Sequence, residues 1–277
     1  SRALALGRRL AESAGDPSLA NRAIVSLALV HQRLGNQPVS EALIEDALRR
    51  LEGAREDPSL PRALLVAGVG ATMRSELDSA AARFEECLEV ATEQERSDYA
   101  ATAHGGLGSV MAEMNMLDGA ADHMEYHATY LRGRTQPRDL VTTLNRLARA
   151  RRRLGEVAAA IEALDESDEI ARFADLPYHQ AATLIARGDL SLNLHDREKT
   201  AQMLTKARIS LDSDSPASVR LAWRALLAEA RMHDDDQSAA VAAHIAAERE
   251  ADRNGYTGRA AYHRGVAAAL IGDRATV

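Results

Sequence analysis

Lysine is almost missing from this chain: only Lys199 and Lys206 stand among 34 basic residues, the rest being arginine. The 41 acidic residues leave a net charge of −7. That balance excludes a nucleic acid held by a general positive field. A single cysteine, Cys87, excludes an internal disulfide. Aromatic residues make up 3%, with two Phe and one Trp. A core of Ala, Leu, Ile, Val and Met suits closely packed helices better than sheets. No run of about 18 apolar residues is present to form a membrane-spanning helix, and no signal-peptide pattern opens the chain. The expectation is a cytoplasmic protein with no membrane and no direct nucleic-acid partner.

What is present is a period. Asp16-Pro17-Ser18-Leu19 returns as Asp57-Pro58-Ser59-Leu60, each ahead of a helical apolar pattern. Pro17, Pro58, Pro137, Pro177 and Pro216 recur at multiples of roughly 40, and proline is tolerated in a first helical turn, where its missing N–H has no intrahelical partner. A tight turn is expected at Gly35, Ser75, Asn115, Gly155, His195 and Asp235, each 40 residues after the last, and at Gly272, 37 further on. Gly, Asn, Asp and His tolerate the left-handed conformation that ends many helices; Ser75 is the least expected of the set.

Seven residues before each turn stands Ala28, Gly68, Gly108, Ala148, Gly188, Ala228 or Gly265, always small. Five residues after the turn come Ser40, Ala80, Ala120, Ala160, Thr200 and Ala240. Four further on come Ile44, Phe84, Met124, Leu164, Leu204 and His244, and three beyond those Ala47, Cys87, His127, Ser167, Ala207 and Ala247. Small, large, small at i, i+4, i+7 is one face of a helix packed closely on its neighbours.

The spacing resembles the tetratricopeptide repeat over the whole chain. The repeat here is 40 residues, whereas the common form of that family has fewer, so the helices are longer by about a turn and a half. The long form is similar to repeats in kinesin light chains and in the sensor arms of bacterial MalT-like regulators. The resemblance implies an all-α fold, a right-handed superhelical solenoid of antiparallel helix pairs, with a concave face lined by the first helix of each pair.

First helices are expected over about 17–34, 57–74, 97–114, 137–154, 177–194, 216–233 and 257–271. Second helices are expected over about 38–53, 77–93, 117–132, 157–173, 197–211 and 237–253. Six complete pairs thus occupy about 17–253 of a single solenoid spanning 1–277, with a partial repeat at each end; residues 1–14 read as a second helix lacking its first. This register leads to the expectation of a fragment of a longer protein.

The resemblance places groove-facing residues ten, six, three and two positions before the turn. Those offsets give Leu65, Val69, Thr72 and Met73; then Gly105, Ser109, Ala112 and Glu113; then Asn145, Arg149, Arg152 and Arg153; then Ile185, Asp189, Leu192 and Asn193. With Arg146 beside them, the third set forms a basic stripe. Like charges at i, i+4 destabilise a helix by roughly 0.2–0.5 kcal/mol. Two readings account for it. A partner's carboxylate or phosphate binds the guanidiniums, or the arginines are solvated and pair with acids such as Asp189 and Glu113. The candidate partner-binding residues are therefore Asn145, Arg146, Arg149, Arg152, Arg153, Ser109, Glu113 and Asp189.

Other motifs are weaker. His123 and His127 have a spacing able to hold a metal, but His127 occupies a small packing position and no third ligand is evident. His104-Gly105-Gly106-Leu107-Gly108 has no preceding strand, which a nucleotide-binding loop requires. Asp234-Asp235-Asp236 lacks the spacing of a calcium loop. Cys87 falls at a packing position and reads as a buried thiol. No catalytic arrangement emerges, so the expectation is a non-enzyme with no cofactor and no metal. Its partner is a protein or peptide, with an acidic one favoured by the stripe. The alternative is a regulatory sensor domain that binds a small effector or a neighbouring domain of the same chain.

Overall fold

The computed structural model describes residues 9, 13, 15–211, 215–234, 236–254 and 256–274. Among these there are thirteen helices and no strand. The chain divides into two compact units, residues 1–130 and 131–277. The first holds α1 (Pro17–Arg33), α2 (Gln37–Arg50), α3 (Leu60–Met73), α4 (Leu77–Glu93), α5 (Ser97–Glu113) and nearly all of α6 (Leu117–Arg132). The second holds α7 (Pro137–Arg153), α8 (Val157–Phe173), α9 (Pro177–Asn193), α10 (Arg197–Ile209), α11 (Ala217–His233), α12 (Gln237–Arg253) and α13 (Thr257–Arg274). Odd-numbered helices are the first of each pair and even-numbered helices the second.

The turns within pairs follow one geometry. Gly35, Ser75, Asn115, Gly155 and His195 all have left-handed φ, between 58° and 82°. Each donates its N–H three residues back, as from Gly35 to Gln32, while the next residue donates five back, as from Asn36 to His31. These two hydrogen bonds satisfy carbonyls left over at a helix end. The same device closes α4 and α8, where Glu95 and Asp175 are also left-handed, at φ 56° and 50°. Asp235 lies outside the described residues. Gly272 departs from expectation: α13 runs through it to Arg274, so no turn occurs there.

Two starts also differ. α3 begins at Leu60, because the Asp57 side chain accepts a bond from the Ser59 N–H and holds the preceding residues in a turn. Pro61, not Pro58, occupies its first turn. Pro216 precedes α11 as its cap. Most of residues 1–14 lies outside the described residues.

The small positions are sites of close approach. A Cβ on Gly68 would stand 2.7 Å from the Phe84 ring, one on Gly108 2.7 Å from Met124 Cγ, and one on Gly188 2.8 Å from Leu226. Ala28, Ala148 and Ala228 are buried. Gly265 differs, since a Cβ there would meet nothing within 4 Å. With no turn at Gly272, its place in the series is lost; counting 40 from Ala228 reaches Ala268 instead. The small-large-small face of the second helices is buried in every described repeat, His127 alone being half-buried. Burial of these faces against adjacent first helices supplies each unit's core at roughly 25 cal/mol per Å² of apolar surface.

Candidate binding surfaces

The residue six positions before the turn points away from the core in repeat after repeat. In the second unit this row is Arg149 on α7, Asp189 on α9 and Glu229 on α11. Arg149 is exposed by area and makes no hydrogen bond or ion pair among the described residues. It is nonetheless crowded. Desolvation by surrounding protein lowers its pKa; Asp189 opposes that shift, Arg259 and Arg152 reinforce it, and Glu229 opposes it. The charges that act on it come from α7, α9, α11 and α13, all first helices of this unit.

Glu229 is half-buried. Desolvation raises its pKa, Asp189 raises it further, and Arg152 and Arg149 lower it. Beside them Arg152 Nε lies 3.1 Å from Asp189 Oδ2, with side chains 18% and 23% exposed. The row therefore holds one paired cation and anion, with Arg149 and Glu229 outside that pair.

In the first unit the corresponding row is Leu29 on α1 and Val69 on α3, and the chemistry changes from charge to hydrocarbon. Leu29, Leu65, Val69, Met73 and Tyr99 line an open cavity of about 590 Å³, with Arg33 and Arg62 among its other walls. Ser109, next in the row, bonds its own helix through Gly105 O at 2.8 Å.

No protein-family model and no curated protein matches the sequence. Solved structures do. RapI in its apo form matches with a TM-score of 0.73 at 16% identity, over 89% of this chain and 90% of RapI. NprR in complex with its cognate peptide NprX matches at 0.68 and 11% identity, over 92% of this chain and 78% of NprR. A thermophilic TPR protein of Thermus thermophilus, TTC0263, matches at 0.55 and 18% identity, over 76% of this chain and 98% of that one. The fold is that of the tetratricopeptide repeat.

Within that fold the expected site residues sort by offset from the turn. At the tenth position before it, Asn145 is 7% exposed and Ile185 2%, both in the core of the second unit. Asn145 donates to Thr183 Oγ1 at 3.1 Å and accepts from Ser167 Oγ at 3.0 Å, while the two hydroxyls lie 2.9 Å apart. Its expected place on the binding face is thus corrected: the carboxamide is consumed by a buried polar network linking α7, α8 and α9. Arg152 is ion-paired with Asp189, as the second reading of the stripe has it, whereas Arg149 is not paired. Arg146 and Arg153 are exposed on α7, and Glu113 is exposed on α5 of the first unit. Of the first expected set, Leu65, Val69 and Met73 line the first unit's cavity. Sequence reasoning missed Glu229, which lies 40 residues after Asp189 and would have followed from carrying the same offset one repeat further.

The remaining motifs have structural explanations in the tetratricopeptide repeat. Gly105, Gly106 and Gly108 lie inside α5 against His127, Phe84 and Met124. His123 faces His104, their Nδ1 atoms 2.7 Å apart, and His104 stacks on Tyr126. Among the described residues no group of three His, Cys, Asp or Glu could hold a metal ion, and no helix is long and apolar enough to cross a membrane. Asp236 caps α12 by accepting from the Ala239 N–H at 3.0 Å. The Cys87 thiol donates to Pro61 O at 3.2 Å, and burial, aided by Glu86, pushes its pKa up to about 12.

Proposed function

We propose that this chain is a non-catalytic binding module that holds a peptide or an extended protein segment on its first-helix faces. The observation that carries this reading is Arg149: solvent reaches it, protein surrounds it, and no acid among the described residues lies within bonding distance of it. An unpaired, partly desolvated guanidinium favours a ligand carboxylate, which can accept two parallel hydrogen bonds. Arg146 and Arg153 extend the cationic side of α7, in keeping with an acidic partner, while Glu229 opposite would receive a cationic group. Taken by itself, the first unit offers an apolar cavity suited to hydrocarbon side chains.

Selection of short peptides from a displayed library on the purified chain tests this, followed by calorimetry of the selected sequence. Replacing Arg149 with Ala, alone and with Arg153→Ala, should weaken binding about tenfold or more, as loss of a charge-assisted pair does. Failure to select any peptide, or an affinity indifferent to Arg149, would count against the reading.

A second reading, a regulatory sensor domain of a longer bacterial regulator similar to MalT-like proteins, draws support from the likeness to NprR. That protein is described as a quorum sensor and is seen with its cognate peptide. Both readings share the first-helix face. They separate when the full-length chain is compared with and without the selected peptide: a change in the activity of an attached domain favours the sensor.

A further inference from the structure

The opposite side of α11 carries a different chemistry. Arg220, Trp223 and Arg224 stand there, roughly half a helical turn away from Glu229 at 3.6 residues per turn. Together with Arg208 at the end of α10 and Arg253 on α12 they line a cavity of about 660 Å³. Among the described residues its only acid is Glu250, and four guanidiniums line the same space. Glu250 has only 6% of its side chain exposed. Burial works against its charge, but the hydrogen bond from Arg220 and the nearby guanidiniums hold its pKa below the ordinary value.

Glu250 serves these guanidiniums unequally. Arg220 takes Oε1 with Nε and Nη2 at 3.0 and 2.8 Å. Arg253 reaches Oε2 at 3.4 Å, and Arg224 Nε only at 3.7 Å. That Arg224 Nε is buried and has no hydrogen-bond partner. Arg208 has a backbone acceptor, Leu211 O at 3.0 Å, and no acid among the described residues. A buried guanidinium N–H without an acceptor costs free energy that an incoming anion would recover.

A second cavity, of about 470 Å³, shares Arg208 and Trp223 with the first as lining residues. Leu204, Ile209, Leu227 and Ala230 make its surface largely apolar. Ile209 is 81% exposed. The indole is fixed by its N–H bond to Leu204 O at 2.9 Å. An arginine-rich compartment therefore meets an apolar one at a fixed aromatic ring.

We propose that Arg208, Arg224, Arg253 and Trp223 form a binding site for a small amphipathic phosphate monoester, its dianionic head among the guanidiniums and its apolar body against Trp223, Leu227 and Ile209. A phosphate monoester carries a charge of about −1.5 to −2 at neutral pH and three acceptor oxygens, which suits several arginines better than a single carboxylate does. This site is separate from the first-helix face, because it uses the second helices α10 and α12 and the other side of α11.

Trp223 is the only tryptophan in the chain, so its fluorescence reports this site alone. Titration with octyl phosphate should give a saturable change. Octanol and octanoate should require higher concentrations, and inorganic phosphate should compete. Arg224→Gln with Arg253→Gln should weaken octyl phosphate binding about tenfold or more. Ile209→Ser, at an exposed position that folding does not need, should weaken octyl phosphate but leave competition by inorganic phosphate unchanged. Circular dichroism of each variant controls for folding. Absence of a saturable change, equal affinity in the arginine variant, or a response only to phosphatidic acid vesicles and not to dissolved octyl phosphate would overturn the proposal.

Discussion

Arg152 and Asp189 form an ion pair from α7 to α9, Nε to Oδ2 at 3.1 Å, and this pair leaves Arg149, three residues earlier on the same helix, without an acid of its own. Replacing the two arginines should therefore have opposite consequences. Arg152→Ala strands a largely buried carboxylate beside Glu229, at a cost of about 1–2 kcal/mol, between the values for exposed and fully buried pairs. Arg149→Ala removes like-charge repulsion along α7 and should be neutral or stabilising by about 0.2–0.5 kcal/mol. Urea denaturation of both variants checks the contrast, and equal losses would contradict it.

Two glycines make a second contrast. At Gly108 a methyl group would stand 2.7 Å from Met124 Cγ and 3.0 Å from the Ala120 carbonyl oxygen. Gly108→Ala should cost about 1–3 kcal/mol, as overpacking does. Gly265 is exposed on α13 with open space around it, so Gly265→Ala should add about 0.5–1 kcal/mol through helix propensity alone. Thermal midpoints moving in opposite directions are the expected result.

Asn145 separates stability from binding. Its side chain bonds only buried groups of α8 and α9. Asn145→Ala leaves Ser167 short of a partner and should cost about 1–3 kcal/mol. Affinity for a selected peptide, measured well below the melting temperature, should not change. A large affinity loss in a folded Asn145 variant would return this residue to the binding face.

Acid should weaken the first unit through its histidines. His104 is pulled from its ordinary value of 6.5 to about 4, first by burial and then by the charges of His123 and His127. His123 is lowered as well, again chiefly by burial. A folded-state pKa below the unfolded value means that the unfolded chain takes up protons first as pH falls. The stabilising contribution is complete above about pH 6.5 and declines as pH drops toward 4. Denaturation midpoints at about pH 7.5 and about pH 5 should differ, and the double replacement His104→Gln, His123→Gln should flatten the difference. His244 and His263, buried with their Nδ1 atoms 3.0 Å apart, shift in the same direction and act in the second unit.

Much of the fold was legible because its constraints are local or steric. Gly35, Asn115, Gly155 and His195 mark left-handed turns that few residue types tolerate. Gly68, Gly108 and Gly188 mark helix crossings that leave no room for a methyl group. Where structure and expectation differ, the local signal is ambiguous: Gly272 suggests a turn although α13 runs through it, and Pro58 suggests a helix start although Asp57 forms a turn beneath it. The candidate face is legible in part. An offset from the turn identifies which residues share a row, and the structure puts Leu65, Val69 and Met73 at a cavity and Arg149 on an exposed side of its helix. The offset does not say how far each position leans toward the core, and Asn145 lies inside it.

By itself the sequence determined the 40-residue period, the helix pairs and the basic stripe on α7, since these follow from backbone sterics and from residues close together in the chain. Only the tertiary structure decided which arginines are neutralised. Among the described residues Arg152 meets Asp189 from the next repeat, Arg149 meets no acid, and Arg208, Arg224 and Arg253 line one cavity with Glu250. Those outcomes depend on angstrom-scale distances between helices tens of residues apart, and charge pairing falls off with distance too steeply for a sequence pattern to settle it.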